Sequence, residues 1–247
     1  MMNENYNKLI LLRMDKMAEL YITKSNQKVF SELPFDEKMA ILIDGQLQEN
    51  KRKSIEQLRR KAAIRIPSAN LNDISFYPDR QIDKVLTLKL HDCDFIKEKL
   101  NVIITGATGA GKTYYVSALA NSAIDKGIRT RYIRLPDLLY DLSACKDNPK
   151  SFKKKMRAYG NTELLIIDDF LISPLNESQS NDIFELLELR NDNHSTILAS
   201  QFETAYWHER LGSSAVADAI MDRIIHNSYI VNIKGDKSMR EITSKLK

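Results

Sequence analysis

The stretch NVIITGATGAGKTYYVSALA, Asn101 to Ala120, constrains this chain more than any other. Apolar and β-branched residues run from Val102 to Thr105 into a glycine-rich turn, and an apolar-periodic segment follows from Lys112. A G-x-x-x-x-G-K-T turn, Gly106 to Thr113, between a strand and a helix reads as a phosphate cradle. Glycine admits the backbone conformations that let successive N–H groups point into one concavity. The helix opening near Gly111 adds the positive end of its dipole there. Lys112 is placed to reach the β- and γ-phosphates, and the Thr113 hydroxyl to ligate Mg²⁺. The candidate nucleotide contacts are Gly106, Ala107, Thr108, Gly109, Ala110, Gly111, Lys112, Thr113 and Tyr114.

Downstream the pattern alternates. It predicts a helix at 112–126, a strand at 130–134, helices at 136–145 and 149–159, and a strand at 163–168. A helix at 177–192, a strand at 196–200 and a helix near 214–226 complete it. Strands alternating with helices imply an α/β fold, a parallel sheet between helices.

ELLIIDDF, Glu163 to Phe170, ends an apolar strand in two carboxylates at the sheet edge where ligands of open α/β sheets bind. Asp168 is expected to hold Mg²⁺, directly or through water, and Asp169 to orient or deprotonate the attacking water. In TILASQF, Thr196 to Phe202, a strand beside that of Asp168 would bring Ser200 or Gln201 near the γ-phosphate. Arg223 sits among Ile220, Met221, Ile224 and Ile225, and has two readings. It is a snorkelling surface group, or an arginine finger acting on a neighbouring subunit's nucleotide.

Other nucleotide-binding classes fit worse. The chain has no N-K-x-D base-reading motif, no D-x-x-G after the second strand and no L-S-G-G-Q stretch. No glycine-bounded, arginine-rich insertion suggests a small-molecule kinase lid.

Composition bounds the rest. No apolar run approaches 18 residues and the N-terminus lacks a secretory signal, so no membrane partner is expected. Cys93 and Cys145 form neither a disulfide framework nor a zinc pattern, which fits a reducing cytoplasm. Net charge is +4, and the first 70 residues hold all of the excess, with 13 basic and 9 acidic side chains. Residues 1–66 read as a helical N-terminal domain, in which Leu9, Leu12, Lys16 and Leu20 begin one pattern and Phe35, Met39, Leu42 and Ile43 another. Residues 67–78 (PSANLNDISFYP) read as a linker, and 79–247 as the nucleotide-binding domain.

Several segments in order resemble the IstB-like ATP-binding proteins, AAA+ helpers of insertion-sequence transposases related to the DnaC helicase loaders. They are FDEKMAILIDGQ (Phe35–Gln46), CDFIKEKLNVIITGATGAGKT (Cys93–Thr113), LLIIDDF, TILASQF with WHERLG (Trp207–Gly212), and ADAIMDRIIHNSYIVNIKGDKSMR (Ala217–Arg240). The resemblance implies a P-loop NTPase of the AAA+ type with ATP and Mg²⁺ as cofactors. It also implies a helical domain engaging transposase or DNA, and self-association into a homo-oligomer on duplex DNA. It assigns Ser200 or Gln201 as first sensor, Arg223 as a trans-acting finger and Arg240 as second sensor. Most AAA+ proteins carry Glu where this chain has Asp169, a shorter carboxylate that the resembling family shares; the sequence departs from the expected pattern at Leu171 in place of glycine and at Ala199 in place of threonine.

Two basic stretches are candidates for sequence-independent contacts to DNA phosphates. One supplies Lys51, Arg52, Arg59 and Arg60, the other Lys153, Lys154, Lys155 and Arg157. Three functions stay open at this point: an ATP-dependent DNA-bound assembly factor that recruits or stimulates a transposase, a replicative helicase loader, and a nucleotide-gated interaction module that hardly hydrolyses ATP.

Overall fold

The apolar pattern that begins at Leu9 breaks at Arg13, whose φ of 59° no α-helix accommodates. In the computed structural model, which describes residues 2–235 and 238–242 (main chain only at 2, 3, 240 and 242), α1 (Met2–Leu11) therefore stops there. It is followed by α2 (Asp15–Ser25), α3 (Lys28–Glu32) and, after Pro34, α4 (Phe35–Ala62). α4 runs straight through Gly45, whose missing side chain makes room for the Leu20 side chain. A first compact unit extends to Gln57, and a second starts at Leu58, inside α4 rather than at residue 66. The first unit buries Met17, Phe30 and Leu42 against Leu9, Leu20, Tyr21 and Met39. The buried Gln46 side chain accepts from the Met17 amide at 3.0 Å, so one polar group inside that cluster is satisfied.

In the second unit the run LLII at 164–167 offers no polar face, so its strand must be covered on both sides. The strands are β1 (Asn101–Thr105), β2 (Thr130–Arg134), β3 (Leu164–Phe170), β4 (Ser195–Ser200) and β5 (Ser228–Asn232), in the order β2-β3-β4-β1-β5. Each described pairing is parallel, with Ile103 opposite Leu198 and Ile230, and Arg134 opposite Asp168. The helices are α5 (Lys84–His91), α6 (Asp94–Lys97), α7 (Lys112–Asp125), α8 (Leu135–Ser143), α9 (Pro149–Gly160), α10 (Glu177–Arg190), α11 (Trp207–Arg210), α12 (Ala215–Ile225) and α13 (Met239–Ile242). Ile103, Leu165, Ile167 and Leu198 face a cluster with Leu138, Met156, Ile183, Leu186, Trp207 and Ile220. Residues one step along each strand point the other way, where α7 buries Val116, Leu119, Ala120 and Ala123.

Helix starts follow from local chemistry. Asp83, Asn148 and Ser214 cap α5, α9 and α12, and Asn176 forms a capping box with Gln179 at the head of α10. At the other end of α10 the guanidinium of Arg190 is buried and faces acceptors on all sides. It donates to the carbonyls of Tyr159, Gly160 and Thr162 at 2.8–3.2 Å, to the Ser195 carbonyl, and to the Thr196 hydroxyl at 2.8 Å. Arg190 thereby ties the C-terminus of the basic helix α9 to the start of β4.

The first part of the 67–78 segment is anchored. The Asn121 amide on α7 donates to the carbonyls of Pro67 and Ala69 at 3.1 and 2.7 Å, and Ala69 and Leu71 are buried. β5 was not foreseen, and β3 runs two residues past the expected strand end, to Phe170. Among the described residues no helix is long and apolar enough to cross a membrane.

Candidate functional site

The phosphate loop closes between the end of β1 and the start of α7. Gly106, Gly109 and Gly111 hold φ of 151°, 83° and 106°, which other residues rarely adopt. A Cβ on Gly106 would strike the Ile233 carbonyl, and one on Gly109 would strike Ser238. The Met239 amide donates to the Gly109 carbonyl at 2.8 Å, so the segment ending in α13 lies directly against the loop. Inside the loop the Lys112 ammonium donates to the carbonyls of Gly106 and Ala107 at 2.7 and 3.0 Å. Burial lowers its pKa, while Asp168 and Asp169 pull it back up. Ala110 is buried, and its amide closes a turn onto Ala107 at 3.1 Å. The Tyr114 hydroxyl reaches away from the loop, to the Asn70 amide at 3.3 Å.

Asp168, 1 % exposed, is the centre of the polar network. Its Oδ2 accepts from the Thr113 hydroxyl at 2.8 Å and from the Tyr132 hydroxyl at 2.6 Å, and its Oδ1 from the Asp169 amide at 2.8 Å. Burial, then the neighbouring Asp168 charge, pushes the Tyr132 phenol above its usual range, with Arg65 pulling the other way. The pairing of one hydroxyl with one carboxylate suits Mg²⁺, which takes hard oxygen ligands and leaves most of its shell to water and phosphates. No cluster of three or more His, Cys, Asp and Glu among the described residues makes an all-protein metal site.

Asp169 has φ of 53° where the β3–β4 register shifts, between Ile167 and Phe170. Its Oδ2 accepts from Arg134 Nε at 2.7 Å and lies 3.7 Å from a terminal nitrogen of Arg65. The hydrogen bond to Asp169 raises the pKa of Arg134. Sequence reasoning passed over Arg134 and Tyr132. The signal was a polar residue at the C-terminal end of a second parallel strand, TRYIR, the same signal that exposed Asp168.

Ser200 and Gln201 have different surroundings. Ser200 is fully buried, donates to the Phe170 carbonyl at 2.8 Å and accepts from the Phe202 amide at 3.1 Å. The Gln201 side chain instead accepts from the Thr108 hydroxyl of the phosphate loop at 2.9 Å. Gln201 is the one that faces the loop.

Arg223 is not brought to this site. It pairs with Glu188, donates to the Ala219 carbonyl at 3.1 Å and lies 4.8 Å over the Phe184 ring. It lies four residues before Asn227, whose carbonyl meets the Asn101 amide at the start of β1, whereas the phosphate loop follows the end of that strand. A five-residue strand spans roughly 15 Å. The Arg240 side chain lies outside the described residues.

Of the basic candidates, Lys153, Lys154 and Arg157 are exposed on α9 and have no ion pair among the described residues. Lys155 turns to Asp141 at 2.9 Å. Arg52 pairs with Glu49 and Glu56, Lys53 with Asp15, and Arg59 with Asp125. Lys51 and Arg60 have no such partner among the described residues.

Solved structures with this fold include DnaI, at a TM-score of 0.57 and 20% identity over 68% of this chain and 92% of that one. The DnaC helicase loader follows at 0.55 and 22% over 67% and 97%. Sequence relatives are nearer. A Sinorhizobium fredii protein named as an insertion-sequence ATP-binding protein is 30% identical over 96% of this chain and 94% of its own length. A Pseudomonas fluorescens protein with the same kind of name is 31% identical over 83% and 88%. The model of the IstB-like ATP binding protein family matches residues 7–246. A phosphate loop facing a buried carboxylate, on a parallel sheet shared with DnaC, thus belongs to a chain that is a member of the IstB-like ATP-binding family of insertion sequences.

Proposed function

We propose that this chain is a Mg²⁺-dependent ATPase that assembles on duplex DNA and recruits or stimulates a transposase. The observation that carries the reading is the 2.8 Å contact between the Thr113 hydroxyl and the buried Asp168 carboxylate beside Lys112. When bound, Mg²⁺ and ATP supply an activated γ-phosphoryl group to water, yielding ADP and phosphate. Thr113 and Asp168 would hold the ion, directly or through water, and the loop amides and Lys112 would neutralise the phosphate oxygens. Asp169 orients the attacking water, and Gln201, already against Thr108, senses the γ-phosphate. Arg223 serves the nucleotide of a neighbouring copy, since it lies at the opposite end of β1 from its own loop. Nucleotide between subunits makes assembly and ATP occupancy one equilibrium.

The exposed cations of α9 supply sequence-independent phosphate contacts, which suits loading on arbitrary sites. The insertion-sequence relatives support a transposase as partner; the shared fold with DnaC keeps a helicase-loading role as the second reading. Sedimentation with and without ATP, on duplex or single-stranded DNA, tests both. Large complexes that need ATP and duplex in the wild type, with turnover lost in Arg223→Ala, are expected. Preference for single strands would favour helicase loading, and no dependence on DNA would overturn both.

A further inference from the structure

Gln201 lies one residue past the end of β4, where Ser200 makes the last pairings with β1 and β3. The described ladder therefore stops short of the residue whose side chain meets Thr108. The chain is held there through its next residue, Phe202. The Phe202 amide donates to the Ser200 hydroxyl at 3.1 Å, and its carbonyl accepts from the Trp207 indole at 3.0 Å. Trp207 is fully buried and meets Phe170 edge-on, with ring centroids 4.9 Å apart. One face of the Phe202 ring is covered by Arg210, whose guanidinium carbon lies 3.7 Å from the ring centroid.

Arg210 also reaches the loop that follows β3. Its Nε donates to the Leu171 carbonyl at 2.6 Å, and a terminal nitrogen donates to the Ile172 carbonyl at 2.7 Å. Leu171, with φ of 56°, turns the chain at this point. The Leu175 amide in turn donates to the Arg210 carbonyl at 2.8 Å. One planar fork thus spans the loop after β3 and the turn after β4. A guanidinium suits the task, because its donors lie in one rigid plane and that plane stacks on an aromatic face. An ammonium has neither the fork nor the face.

We propose that Arg210 is a positioning residue that sets Gln201 against the phosphate loop, by registering the Gln201–Phe202 turn on the loop after β3. The inference rests on the reading of Gln201 as the group that senses the γ-phosphate. Gln201 is only half-buried and Thr108 is exposed, so packing around the pair does not fix the amide. A group held in place before the reaction moves the chemical step rather than ground-state binding. Arg210 therefore acts on the rate of hydrolysis and leaves nucleotide affinity to the phosphate loop.

The test is single-turnover Mg-ATP hydrolysis by the full chain carrying Arg210→Met, Arg210→Lys, Gln201→Ala, or Arg210→Met with Gln201→Ala. Affinity for a fluorescent ATP analogue is measured in parallel. Arg210→Met keeps an apolar stem over Phe202 and is expected to slow the reaction about fivefold or more, with analogue affinity within about twofold. Arg210→Lys, which keeps the charge without the fork, is expected to be slowed about threefold or more. In the Gln201→Ala background, Arg210→Met is expected to change the rate by less than about twofold, because the group it positions is gone. A purely structural role would slow both backgrounds by the same factor. Arg210→Gln repeats the cycle should the methionine variant melt early. An unchanged rate in Arg210→Met, an equal fall in both backgrounds, or Arg210→Lys at the wild-type rate overturns the proposal. Gln201→Ala at the wild-type rate, or a wild type that does not hydrolyse ATP, overturns the reading of Gln201 and this inference with it. A slow Gln201→Ala beside an unchanged Arg210→Met overturns the positioning alone.

Discussion

The Tyr132 hydroxyl donates to the Asp168 carboxylate across 2.6 Å, joining the second strand of the sheet to the carboxylate that faces Thr113. Both residues are largely buried, so this bond is charge-assisted and shielded from water. Tyr132→Phe is expected to cost about 1–2 kcal/mol of stability in urea unfolding, in the range for a bond to a charged group. It should also raise the Mg²⁺ concentration needed for half-maximal ATP hydrolysis, because Asp168 loses the group that fixes its rotamer. An unchanged Mg²⁺ titration would contradict this.

Ser200 and Gln201 are neighbours with separate partners, and substitution should separate them. Ser200→Ala leaves the Phe170 carbonyl and the Phe202 amide without their shared partner, and is expected to destabilise the chain by about 1–3 kcal/mol. Gln201→Ala removes a contact to the exposed Thr108 and should leave stability within about 0.5 kcal/mol. Its kcat should fall at least tenfold with ATP affinity kept. Unfolding curves and single-turnover hydrolysis on both variants decide the matter.

On α9 the three exposed cations should act as independent phosphate contacts. Replacing Lys153, Lys154 and Arg157 by Gln is expected to reduce the slope of log affinity against log salt by about 2 to 3 for duplex DNA. Lys155→Gln should change it less, because its ammonium is engaged with Asp141. Fluorescence anisotropy over a range of salt concentrations measures both slopes.

His194 gives the fold a dependence on pH. Its Nδ1 is buried without a hydrogen-bond partner among the described residues, and burial, then the charge of Arg190, lowers its pKa from 6.5. The unfolded chain therefore binds this proton more readily than the folded one. The contribution to stability is full above about pH 6.5 and is lost as pH falls through the lowered folded value. His194→Gln should flatten urea midpoints between pH 7 and 5 relative to the wild type; parallel curves would count against the assignment.

The site was legible where one short segment carries the chemistry. Gly106 to Thr113 and the Asp168–Asp169 pair announce themselves, because glycines before Lys-Thr and carboxylates after an apolar strand each imply a single kind of neighbourhood. Arg134 and Arg65 were hidden for the opposite reason. Each is an ordinary arginine, and its place beside Asp169 exists only because β2 lies beside β3 and Asn121 on α7 holds the carbonyls of Pro67 and Ala69. The same holds for Ser200 and Gln201, since sequence shows two polar residues at a strand end but not which one points at the loop. β5 escaped notice because SYIVN is short and follows a helix that ends in the polar pair His226–Asn227. The split of α1 from α2 at Arg13 left no proline or glycine to mark it.

The sheet order has a consequence in time. β1 sits between β4 and β5, so Val102 finds its partners at Ile197 and Tyr229, far along the chain. Loop closure over such separations is slow and comes late. During synthesis the phosphate loop emerges before either of the strands that flank β1. A copy truncated before β5 therefore lacks one of the two strands that flank β1.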